Sequence, residues 1–305
     1  MRFIVTGLTL LMSTAVAAQP VDPAKVNIRS VTLAPGVAVL FGAGGNIGVS
    51  HGADGTVLID DQFAPLTDKI NQAVNGLGAK PVRFVINTHW HGDHTGGNEN
   101  LGKAGAVIVA HDNVRARMST EQFMKQFNER VPASPAGALP VVTFAEGVAL
   151  HLNGDTLSVV HVEHAHTDGD ALVKWQKANV LHGGDVFVRY GLPFIDVGSG
   201  GSIQGMIAGV DKAIAMADAN TKVIPGHGEM ATRDDMIAYR DMLKTIMDRV
   251  AAGRKAGQTL AQIQASKPTR EWPAKPGDFI KPDDFVATVY ANLAEPPSRD
   301  GDHKH

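Results

Sequence analysis

The stretch His89-Trp90-His91-Gly92-Asp93-His94 decides how the rest of the chain reads. It places four potential metal ligands within six residues, directly after residues 82–86, an apolar and β-branched run that reads as a buried strand. Buried imidazoles and carboxylates cost free energy unless they are satisfied, so packing alone does not explain such a cluster. On an extended segment residues i and i+2 share a side, so His89 and His91 can hold one ion together. Asp93 and His94 then face a neighbouring ion about 3.5 Å away, the spacing of two-metal hydrolytic sites.

Three later elements follow strand-like runs, where the loops of a sheet edge converge. They are His166 in His164-Ala165-His166-Thr167-Asp168-Gly169, Asp185 in His182-Gly183-Gly184-Asp185, and His227 in Pro225-Gly226-His227-Gly228. Together with the hexapeptide they complete two sites: His89, His91 and His166 in one, and Asp93, His94 and His227 in the other, with Asp185 able to bridge. His164 competes with His166, and the His-Thr-x-Gly pattern favours His166. The other histidines, among them His51, His111, His151, His161 and His182, read as structural or surface residues.

Composition narrows the chemistry. The 305 residues are 44% hydrophobic and 19% charged, enough for a real core. Cysteine is absent, so disulfides, thiolate ligands and cysteine nucleophiles are excluded and a metal must be held by His, Asp or Glu. With 28 basic against 31 acidic residues there is no basic excess to neutralise phosphates, which speaks against a nucleic-acid partner. Arg2, the apolar residues 3–11 and the small residues Val16-Ala17-Ala18 form a secretory signal layout cut after Ala18, and the apolar stretch is too short for a membrane anchor. The expected location is periplasmic or secreted.

Around these motifs the chain reads as two β/α halves. Residues 30–33, 37–41, 47–51 and 56–60 form an antiparallel meander separated by turn signals such as Pro35-Gly36 and Asp54-Gly55. A helix with Leu66, Ile70, Ala73, Val74 and Leu77 on one face follows, then strands at 82–86 and 106–110 and helical material to about Glu129. Residues 132–140 read as a surface loop between the halves. Strands resume at 141–144, 148–152, 157–162, 172–175 and 180–182, followed by a helix at 202–217, a strand at 222–224 and a long helix at 233–252. The pattern predicts an α/β fold, one domain over residues 19–295, with two sheets packed face to face between helical layers. Residues 296–305 read as a disordered tail.

The hexapeptide, the later His-Thr, the Gly-Gly-Asp and the Pro-Gly-His-Gly resemble, in this order, the metallo-β-lactamase superfamily, over roughly residues 31–252. The resemblance implies a four-layer αβ/βα sandwich with a dinuclear metal site at the edge of the two sheets. It also implies an aspartate that supports the metal loop from behind, Asp60 in Val57-Leu58-Ile59-Asp60, with Asp61 the alternative. Two zinc ions are the expected cofactors, with iron or manganese admissible on such donors.

The resemblance fixes machinery better than substrate. The leader, the strand bearing Trp175 and Asn87-Thr88-His89-Trp90-His91 lean toward the secreted β-lactamases. Asp185, where the best-known lactamase branch has a cysteine, leans toward glyoxalase II, lactonase and general hydrolase branches. The lysine that would grip a lactam carboxylate is missing; Arg189 is the substitute to consider. The loop 189–202, with Arg189 and Tyr190, is expected to line the pocket. The expected activity is metal-assisted opening of a cyclic amide or ester in a small molecule, lactamase-like first, with Asp93 catalytic. Ester, lactone or thioester hydrolysis is the alternative, ahead of an iron-dependent sulfur dioxygenase or a non-enzymatic metal-binding protein.

Overall fold

A computed structural model describes residues 21–276 and 278–294. The expected leader and tail lie outside the described residues. The chain opens with the meander β1 (Arg29–Ala34), β2 (Val37–Phe41), β3 (Ile47–Gly52) and β4 (Gly55–Ile59). Helix α1 (Thr67–Gly76) forms because Ile70 and Val74, one turn apart, are both buried; Gly78, at φ +73°, follows its end. Next come β5 (Val82–Ile86), the short α2 (Gly92–Thr95) and α3 (Asn98–Lys103), β6 (Val107–His111) and α4 (Asp112–Met118). A hairpin of β7 (Gln122–Met124) and β8 (Glu129–Val131) leads to β9 (Val142–Phe144).

The second half carries β10 (Gly147–Leu152), β11 (Asp155–Val162), β12 (Asp170–Trp175) and β13 (Val180–His182), then α5 (Ile203–Ala215) and β14 (Lys222–Ile224). It closes with α6 (Arg233–Lys255), α7 (Leu260–Ala265) and α8 (Pro282–Asn292). Thr232 and Asp235 form a capping box that starts α6, and Met236, Tyr239, Leu243, Ile246 and Val250 line its buried stripe.

Two sheets result. The first runs β1-β2-β3-β4-β5-β6-β9, and its last three pairings are parallel; the second runs β10-β11-β12-β13-β14, with β13 and β14 parallel. Alternation along the strands sorts the core into layers. Val37, Val39, Val57, Ile59, Ile86 and Val109 face inward and meet Val159, Val173, Trp175 and Ile224 of the second sheet. The opposite faces carry Leu40, Val49, Leu58 and Val85 under α1 and α3, and Leu172, Leu181 and Val223 under α5, α6 and α8. That is the expected αβ/βα sandwich. Trp175 lies flush against the backbone of β3, where a Cβ on Gly48 would come within 2.8 Å of its ring.

Three parts of the sequence reading need correction. The helix after β6 stops at Met118, and the residues up to Glu129 run through β7 and a turn closed by Asn128 at φ +51° into β8. Residues 142–144 pair in parallel with β6, so the Pro-rich loop lies inside the first half and the halves meet at Ala145-Glu146. The helices α7 and α8 were not anticipated.

One contact ties the sheets together near the site. His111 at the end of β6 stacks on His161 of β11, with centroids 3.7 Å apart and planes 9° apart. His111 Nδ1 accepts from Asn113 N, and His161 Nδ1 donates to the Asp170 carbonyl. Burial lowers both pKa values; His161 lowers that of His111 further, and Lys212 that of His161, against Asp112, Asp168, Glu163 and Glu146. Because the folded values lie below the unfolded 6.5, this contribution to stability is complete above that pH and is lost as pH falls below it. The thermal midpoint is expected to fall between pH 7.5 and 5, and His161→Gln to flatten that fall; identical slopes would clear the pair of this role.

Candidate metal centre

All seven sequence-predicted donors stand at the strand ends of one edge. The hexapeptide leaves β5, His166 lies between β11 and β12, Asp185 follows β13 and His227 follows β14. Donor atoms of His89, His91 and His166 lie within 4.8 Å of one another; so do those of His89, His94 and Asp185, and those of Asp93, His94 and His227. Asp185 stands between the groups: Oδ1 is 3.4 Å from His94 Nε2, and Oδ2 is 3.4 Å from His227 Nε2 and 3.8 Å from His166 Nε2. Asp93 Oδ2 lies 3.2 Å from His227 Nε2 and 3.6 Å from His94 Nε2.

Hydrogen bonds behind the rings assign which nitrogen faces inward. His94 Nδ1 donates to Asp60 Oδ2 at 2.7 Å, His166 Nδ1 to the Phe194 carbonyl at 2.9 Å and His91 Nε2 to Asp196 Oδ2 at 3.0 Å. His89 Nδ1 is 3.0 Å from Thr88 Oγ1. The inward nitrogens of His91 and His166 face each other at 2.9 Å, where either a bound cation or a shared proton satisfies both. His89 Nε2 and Asp185 Oδ1 are buried without a hydrogen-bond partner. These donors fit divalent ions.

Electrostatics point the same way. Burial, reinforced by the neighbouring rings, pulls His89 well below the ordinary imidazole value, and burial with His91 brings His166 down to about 4, so both keep a free lone pair. Burial also opposes the charged forms of His94 and His227. The carboxylates outweigh it: Asp93 and Asp185 lead in lifting His94 to about 9, and Asp185 in lifting His227 to about 11. The centre is thus an acidic pocket that gathers positive charge.

Asp60, rather than Asp61, supports the loop. Its carboxylate takes Thr88 N at 2.7 Å and Thr88 Oγ1 at 2.8 Å as well as His94, whereas Asp61 Oδ1 takes Gly97 N at 2.8 Å. His164 lies outside the three donor groups and bonds the Gly200 carbonyl, while His182 joins Asn46 O and Gly184 N. A glycine lets the β2–β3 loop close over the cluster: a Cβ on Gly45 would overlap the His94 ring. In the loop after Asp185, the Tyr190 ring is 5.6 Å from His227, but the Arg189 guanidinium turns away to the Met230 carbonyl and Asp235.

Sequence reasoning missed Asp196, nearly fully buried behind His91 and fixed by Ser199 N at 3.1 Å. No spacing rule links it to a histidine 105 positions away; its place in the flagged loop was the only signal. Among the described residues no helix is long and apolar enough to cross a membrane.

Comparisons with known proteins agree with this architecture. The family model described as Metallo-beta-lactamase superfamily matches residues 40–233. A metallo-beta-lactamase type 2 of Bacteroides fragilis is 24% identical over 187 residues, 58% of this chain and 69% of that protein. A hydroxyacylglutathione hydrolase of Anaeromyxobacter dehalogenans is 28% identical over 204 residues, 63% of this chain and 69% of that protein. A solved metallo-beta-lactamase from Pontibacter korlensis shares the fold, with a TM-score of 0.58 and 17% identity over 72% of this chain and 99% of that one. From the family match over most of both sheets, and from the His/Asp cluster at their common edge, the chain belongs to the metallo-beta-lactamase superfamily and is a metal-dependent hydrolase.

Proposed function

We propose that residues 19–295 form one exported catalytic unit that hydrolyses an ester-type carbonyl, in an ester, lactone or thioester, with two zinc ions. His89, His91 and His166 hold one ion, and Asp93, His94 and His227 the other, with Asp185 between them. The observation that carries this reading is Asp185 within 3.8 Å of ring nitrogens from both groups, an all-nitrogen-and-oxygen double site. Divalent ions in such a site supply Lewis acidity that polarises a carbonyl and lowers the pKa of water.

The chain's own groups do the rest. Asp93, with 29% of its side chain exposed, is the most accessible carboxylate of the cluster. His94 and His227 outweigh its burial and keep it ionised, so its carboxylate can orient the attacking water or pass its proton on. Phe194 and Tyr190 shield the histidines from bulk water on the loop side.

Opening of a β-lactam is the second reading, favoured by the exported layout of the leader. It ranks below ester chemistry because Arg189, the one loop cation considered for a substrate carboxylate, is occupied elsewhere. The deciding experiment compares a neutral aryl ester, a lactone and a chromogenic cephalosporin, with the protein metal-loaded and chelated. Chelator-sensitive turnover fastest on the ester or lactone is expected. Fastest turnover of the cephalosporin reverses the order, and one iron per chain with no hydrolysis supports the dioxygenase alternative.

Asp196 orients His91, so Asp196→Asn is expected to weaken metal binding about 10- to 100-fold while the chain stays folded. Chelator competition measures this, and unchanged affinity would show that His91 needs no such support.

A further inference from the structure

Beside the metal centre stands an aromatic wall drawn from three separate segments. Phe194 lies against His91, with centroids 5.8 Å apart and planes 26° apart, and meets the His166 ring at 5.6 Å. Phe127, from the β7–β8 turn, is 5.0 Å from Phe194. Tyr190 approaches His227 at the other end of the cluster. Phe279, beyond the family match, joins them all: it is 5.4 Å from Phe127, 6.2 Å from Tyr190 and 6.3 Å from Phe194.

The wall is only part of a core. Phe194 is 5% exposed and serves as its floor, but Phe279 is 58% exposed although three rings surround it. A large apolar side chain left open next to a reactive centre marks a binding surface. Arg189 supplies no positive charge to this wall. The ion-pair partners of Asp93 and Asp185 among the described residues are histidines, and the Arg189 guanidinium points away.

We infer that Phe127, Tyr190, Phe194 and Phe279 receive a neutral apolar acyl or aryl group attached to the scissile carbonyl, with Phe279 setting how long a group is preferred. This rests on the ester-type reading of the centre and narrows its substrates to those bearing an apolar group on the carbonyl.

The test uses the metal-loaded full chain and 4-nitrophenyl esters from acetate to octanoate. A buried methylene strengthens binding by up to about fourfold. The expected result is a kcat/KM at least about tenfold higher for octanoate than for acetate. Phe279→Ala should remove most of that gain through KM, leaving acetate within about twofold, and Phe279→Leu should keep it. A flat chain-length profile, or an equal loss on acetate and octanoate, would overturn the inference. A second measurement needs no turnover: calorimetry with octanamide and acetamide. Tighter binding of octanamide, weakened by Phe279→Ala, supports the wall even where no ester is cleaved, in which case only the reaction has been misread. Equal affinities overturn the wall whatever the turnover.

Discussion

Asp93→Ala and His91→Ala are each expected to lower kcat/KM about 10³-fold or more and to leave a folded chain. The magnitude follows from losing several kcal/mol of transition-state stabilisation at about 1.4 kcal/mol per decade. The two variants fail differently. His91 offers its inner nitrogen to the tri-histidine group, so its loss should reduce bound metal together with rate. Asp93 lies between His94 and His227 and is the most accessible carboxylate of the cluster, so its variant should keep the first ion and lose rate disproportionately. Metal content beside steady-state kinetics and circular dichroism checks both. A normal rate in either variant removes that residue from the machinery.

The second large effect concerns Asp60. It accepts three hydrogen bonds in full burial, from Thr88 N, Thr88 Oγ1 and His94 Nδ1, at a backbone φ of +64°. Asp60→Ala strands these buried donors at about 1–3 kcal/mol each. Alanine also lacks the local side-chain hydrogen bonding that makes aspartate tolerant of this left-handed conformation. A loss of about 4 kcal/mol in stability is expected. That corresponds to a fall of roughly 10 °C in thermal midpoint for a chain of this size. Asp60→Asn keeps the shape but sets an amide hydrogen against a donor, and should fall about halfway. A midpoint within 2–3 °C of wild type for the alanine variant would show that the hexapeptide is held by other contacts.

What could be read without coordinates follows from range along the chain. The hexapeptide was legible because four donors crowd six positions after a strand, and the strands 37–41, 82–86 and 180–182 coincide with β2, β5 and β13 because apolar runs and turn residues are local signals. The β7–β8 hairpin was missed because its short strands are half-exposed and partly polar, so no apolar run marks them, although Asn128 marks its turn. The placement of β9 was missed for another reason: its parallel pairing with β6 joins residues more than thirty positions apart, and nothing local encodes that neighbour. Behind the donors, Asp60 was inferred from resemblance, whereas Asp196 and Phe279 depend on where two long loops come to rest.

The donors divide by chain segment as well as by chemistry. His89, His91, Asp93 and His94 come from the sheet that ends at Phe144, while His166, Asp185 and His227 come from the sheet that begins at Gly147, and the exposed pair Ala145-Glu146 is the only covalent passage between them. An ion shared across that seam is a crosslink that can be added or withdrawn. Opening the passage would leave two fragments, each with a complete sheet and half a coordination sphere. Their reassembly would then be titrated by divalent cation, so the junction is the natural place to split the chain into a metal-dependent complementation pair.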